Sequence, residues 1–205
     1  MIDRTIARAG AASGIIYVLV IFTAPGLFGG DTGTRAELVA MLFFLPFLGY
    51  LWRVLGAAEG ADGWLATTAL GAGLVAITIK LASAAPLLAA DFEADGTHLH
   101  DALIKINDVS FVLTQLPLGV MAAAVAVLTL TTGVLPRWLG WLALAAAPAL
   151  IVNGLSFHSQ DGPAFLLFAL WLVATSVVLT LRAGRRPAAA TDTQPANVRA
   201  DAIET

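Results

Sequence analysis

The chain has 205 residues, 59% of them hydrophobic and only 12% charged, at a mean hydropathy of +0.85. A soluble domain carries about 25% charged residues, so this composition cannot wrap the whole chain in a polar surface, and lipid must be the solvent for much of it. The net charge of −3 offers no basic stripe for nucleic acid, and a chain without cysteine has no disulfide, thiolate nucleophile or cysteine-held cluster.

Six apolar segments are each long enough to cross about 30 Å of hydrocarbon: about 11–28, 36–57, 64–90, 102–131, 138–157 and 163–182. The first, "GIIYVLVIFTAPGLF", follows Arg4 and Arg8 as a signal peptide would. No small-x-small cleavage site follows it, so a retained span is expected. Connectors such as "GGDTGTRAE", "GAAEGADG" and "TTGVLPR" are short, which makes consecutive helices antiparallel neighbours. The fold class expected is therefore all-α: a polytopic bundle of six transmembrane helices over residues 1–186. Pro25, Pro46, Pro86, Pro117 and Pro148 fall inside the first five spans. Prolines of this kind line broken helices in some transporters, and are also simply frequent in membrane helices. The remainder, 187–205, is polar and rich in Ala, Pro and Thr, and a disordered tail is expected there.

With a cytoplasmic N-terminus, Arg4, Arg8, Arg53, Arg137, Arg182, Arg185 and Arg186 all lie inside, and Arg35 lies in an outer loop. Trp52, Trp64, Trp138 and Trp141 gather at the same inner boundary. Both patterns follow the positive-inside and aromatic-belt rules, so both termini are expected in the cytoplasm, in the inner membrane of a bacterium.

The opening "TIARAGAASGIIYVLVIFTAPG", the "LWRVLGAAEG" turn and the "GVLPRWLGWLALAAA" hairpin carry a resemblance. Together they resemble small bacterial multi-pass proteins, about six spans long, grouped as a domain of unknown function, over residues 4–182. The resemblance implies the fold and brings no activity with it.

The stretch "HLHDALIKINDVSF", residues 98–111, stands out against this apolar background. On a helix, His98, Asp101, Lys105, Asp108 and Gln115 share about a third of the circumference, with Leu99, Ala102, Ile106, Val109 and Leu113 on a separate apolar stripe. Asn107, Ser110 and Thr114 widen the polar side. Residues 111–131 alone can span the hydrocarbon, so 98–110 either rises above it or lies along the interface. Lys80, about 24 Å from Trp64 at 1.5 Å per residue, falls in the outer third, where a lysine snorkels. A hairpin turn centred near residue 94 brings it level with Asp108, and an ion pair between the two is expected. Asn153, Ser156 and His158 reach a similar height.

The candidate ligand-binding or ion-pair residues are thus Lys80, Asp101, Lys105, Asp108 and Asn153. His98, His100 and His158, with nearby carboxylates such as Asp91, Glu93, Asp95 and Asp161, are the candidate zinc ligands. Against zinc, two helical residues spaced as "HLH" point about 160° apart. No serine elbow, H-E-x-x-H or phosphate loop is present, and a triad from Ser156, His158 and Asp161 is too local to close. Three functional classes remain. The favoured one is binding or transport of a small molecule or ion through an outward polar pocket. The second is an accessory protein with a structural polar layer, packing on membrane partners or on copies of itself. The third is a metal-dependent membrane enzyme.

Overall fold

The computed structural model describes residues 4–28, 30–90, 92–93, 96–156 and 162–184. Six helices follow in chain order: α1 Arg4–Phe28, α2 Gly30–Glu59, α3 Leu65–Ala90, α4 His98–Thr132, α5 Arg137–Ser156 and α6 Pro163–Gly184. No strand occurs among the described residues. Each helix contains an apolar window long enough to cross a bilayer, so the chain is an all-α, multi-pass membrane bundle. Three of the helices, α1, α2 and α4, outrun their hydropathy segments by several residues. α1 begins at Arg4 and α2 at Gly30, because polar residues continue a helix where hydropathy no longer marks it. The expected tail, His158, Asp91, Asp95 and Asp161 lie outside the described residues.

Every helix packs on its chain neighbours and α6 returns to α1, so the bundle is a closed ring, with α2 and α4 touching across its centre. Between apolar helices in lipid there is no hydrophobic driving force, and close approach must supply the attraction. Gly14 provides it at the ring's closure. A Cβ there would stand 2.3 Å from Ser176 Oγ and 2.8 Å from Phe47 Cδ2, so α1 lies directly against α6 and α2. Gly119 does the same between α4 and α5, where a Cβ would meet Ile151 Cγ1 at 2.6 Å and the Ala147 carbonyl at 3.0 Å. Around these contacts Trp171, Phe44, Phe47, Phe168 and Met121 are fully buried. Pro46, Pro86, Pro117 and Pro148 sit within helices that continue past them.

The 35 residues of α4 form one rod of about 52 Å, well beyond the hydrocarbon thickness. Residues 98–110 therefore continue the span rather than forming a separate interfacial helix. Thr97 caps the start, its side chain accepting from the His100 amide at 3.2 Å, and Gly133 at φ 68° caps the end by donating to Thr129 O. Alternating helix directions put Arg4, Arg8, Arg53, Arg137 and Arg182 at one end of the ring, with Arg182 donating to the Val134 carbonyl. Glu93 and Asp101 mark the opposite, acidic end.

At the arginine end the turn from α2 to α3 has an internal tie. Glu59 caps α3. Its Oε1 accepts from Leu65 N at 2.7 Å and its Oε2 from Ala66 N at 2.8 Å. A carboxylate on two unpaired amides at a positive helix end is a strong cap. Glu59→Ala is expected to cost about 1–2 kcal/mol in unfolding experiments in mixed micelles. An unchanged midpoint would show that water replaces the cap without loss.

Candidate functional site

Lys80 lies ten residues before the end of α3, and its side chain is 13% exposed. A lysine so placed needs a counter-charge, and Glu37 of α2, 26% exposed, supplies it with Nζ and Oε2 3.3 Å apart. The ammonium also lies 4.8 Å from the centroid of the Phe111 ring, within cation–π range. The expected pair with Asp108 is thus replaced by one with Glu37. Two contacts explain why: Gly73 packs against Met121, and His100 Nδ1 lies 3.1 Å from Ala90 O. That register sets Lys80 level with Phe111 and carries Asp108 about one turn nearer the acidic end.

Below the pair, Thr114 and Gln115 turn into the bundle. Gln115 is 1% exposed, and its Oε1 accepts from Asn153 Nδ2 of α5 at 2.9 Å. Its Nε2 is buried without a hydrogen-bond partner among the described residues. Turning both amides over would leave Oε1 unpaired instead, so one polar atom of Gln115 stays open either way. One turn to the other side of Phe111, Asn107 Oδ1 is also buried and unpaired. The α4 stripe 107–111–115 therefore reads amide, aromatic ring, amide.

Lys80, Phe111, Thr114 and Gln115 line a cavity of about 20 Å³ together with Tyr17, Phe44 and Phe165, among others, and Glu37 reaches it only through Lys80. That volume admits about one water. Aromatic rings close it: Phe111 meets Phe165 edge-on at 5.3 Å, and Tyr17 meets Phe44 at 4.9 Å. Asn153 also lines an open groove of about 540 Å³ between α5 and α6, so the Gln115–Asn153 bridge is the wall between groove and cavity.

Of the residues singled out from sequence, Lys80 and, through Gln115, Asn153 meet at this cavity. Asp101 and Lys105 are exposed on the projecting part of α4, and Asp108 is half-buried there. His98 is exposed and His100 half-buried on the first turn of that helix, where two residues so spaced diverge. His158 lies outside the described residues, and among those described no three His, Asp or Glu side chains gather as metal ligands. Sequence reasoning missed Glu37, Tyr17 and Phe111. Glu37 had a signal: it is the one acid inside the second apolar segment, and it had been read as part of the preceding connector.

Residues 32–182 match a family described as a domain of unknown function, DUF4386. The chain belongs to that family. Within it, the DUF4386 match takes in Glu37, Lys80, Phe111, Gln115 and Asn153, and leaves out Tyr17 and the arginines at the start of α1. Comparison with curated proteins and with solved structures gave no match.

Proposed function

We propose that this membrane protein binds a small polar solute or ion at the Lys80–Gln115 cavity, beside the Glu37–Lys80 pair, and passes it between the two sides of the membrane. The observation that carries the reading is the open amide of Gln115, 1% exposed, beside an intramembrane ion pair. A buried polar atom without a partner is costly, and intramembrane charges are more often functional than ornamental. With about 20 Å³ of space the described state is closed. A solute larger than water enters when Phe111 swings from between the Asn107 and Gln115 amides, and it competes with one partner of the Glu37–Lys80 pair. An anion would draw Lys80, and a cation Glu37. In this reading the arginine end faces the cytoplasm and the acidic end faces outward, as the cation asymmetry favours.

The small volume favours a second reading, in which one bound water satisfies Gln115 and the polar layer only ties helices together. A thermal-shift series on the detergent-solubilised protein separates them, using alkali cations, halides, small carboxylates and amino acids as probes. Binding predicts that at least one probe raises Tm in the wild type, and that Gln115→Leu folds but loses that shift. The change relieves the open Nε2 but takes the acceptor from Asn153 Nδ2, which faces the open groove, so a cost of about 1 kcal/mol is expected. If no probe acts, or if the shift survives Gln115→Leu, the reading fails and the structural one stands.

A further inference from the structure

At the arginine end α1 and α2 pack closely, Gly10 lying against Pro46 and Tyr50, and the small residues between them leave a groove of about 520 Å³ on the outer face of the ring. Its walls run from Ile6 to Ile16 on α1 and from Phe43 to Arg53 on α2. Ten residues of helix are about 15 Å, half the hydrocarbon thickness, so the groove is one leaflet deep. Its floor is shallow-chained: Gly10 and Ser13 on one side, Pro46 and Gly49 on the other. At Gly49 an added Cβ would meet nothing within 4 Å, so the space there is open. Arg53, at the end nearest the bundle surface, is the one charged side chain lining the groove among the described residues. It is exposed, and no described residue pairs with it.

We infer that this groove is a binding site for an anionic phospholipid of the leaflet at the arginine end. One acyl chain lies along Ile16, Phe43 and Pro46, and the phosphate sits on the Arg53 guanidinium. The length argues for a lipid, because groove and leaflet end together at the level where a headgroup begins. Charge argues for an anionic one. Arginine presents a planar fork of donors that matches phosphate oxygens, no carboxylate lines the groove, and exposed Arg4 and Arg8 on the first turns of α1 add to the positive field. The site is independent of the polar cavity, which lies toward the other end of the bundle and shares no lining residue with it.

Native mass spectrometry of the full chain, delipidated in neutral detergent, tests the assignment with phosphatidylglycerol, phosphatidylcholine and inorganic phosphate as probes. Phosphatidylglycerol is expected to be retained about tenfold more strongly than phosphatidylcholine. Arg53→Gln is expected to remove that preference, a loss matching one charge-assisted hydrogen bond. Gly49→Leu fills the groove and should reduce retention of both lipids while leaving Arg53 in place, which keeps the test open if Arg53→Gln folds poorly. Equal retention of the two lipids by the wild type, or phosphatidylglycerol retention unaffected by either variant, overturns the site. So does competition by inorganic phosphate alone, which would make the chain irrelevant. A concentration-dependent dimer that Gly49→Leu disrupts, and that added phosphatidylglycerol does not, would assign the groove to a second copy instead.

Discussion

Lys80→Met is expected to destabilise the bundle by about 3 kcal/mol, and Glu37→Gln by nearly as much, while the double variant loses less than the sum. Removing one partner of a buried pair strands a charge away from water, which typically costs about 3–5 kcal/mol. The lower end applies here because Glu37 keeps 26% of its side chain accessible and can be partly solvated. Lys80→Met also gives up the contact with the Phe111 ring, so it should be the worse of the two single changes. Asp108→Asn serves as the control. Half-buried and outside the pair, it should change stability by no more than about 0.5 kcal/mol. Unfolding of the wild type and these four variants in mixed micelles, with Lys80→Met/Asp108→Asn added to read any coupling there, gives the result. Strict additivity would mean the two charges do not stabilise one another, and coupling of Lys80 to Asp108 instead would restore the pairing expected from sequence.

The second large effect lies at the ring's closure. Gly14→Val places atoms where Ser176 Oγ and Phe47 already stand, 2.3 and 2.8 Å from the new Cβ. Both neighbours are themselves buried, so there is little room to yield. Overpacking of this kind costs about 1–3 kcal/mol, and a value near the top is expected. Gly71→Ala is the matched control: a Cβ there meets nothing within 4 Å, and the helix should gain about 0.5–1 kcal/mol. If Gly14→Val unfolds at the same detergent concentration as the wild type, α1 and α6 are not held at the distance described.

The fold was legible because hydrophobic length and loop shortness act locally. Each span announces itself within its own twenty or so residues, and short connectors leave only antiparallel hairpins. The site was half legible, and the difference is one of register. Counting from a hairpin turn locates Lys80 to within about one helical turn, and one turn separates Asp108 from the ring that Lys80 covers. Glu37 was missed for another reason. Pairing it with Lys80 requires comparing depths along α2 and α3, and the acid had been assigned to a loop. Gln115 was seen on the polar face of its helix. That its Nε2 stays open while its Oε1 accepts from Asn153 follows only from the packing of other helices around it, which no local pattern encodes.

The closed ring also orders the events of folding. Five of its six seams join helices adjacent in the chain and need little loop closure, whereas the α1–α6 seam joins residues such as Gly14 and Ser176 from opposite ends of the sequence. Loop-closure entropy therefore places that contact late in folding. Because Tyr17 of α1 and Phe165 of α6 both line the polar cavity, the cavity acquires its wall only at this late step. The polar cavity is therefore complete only where the first and last helices of the ring meet.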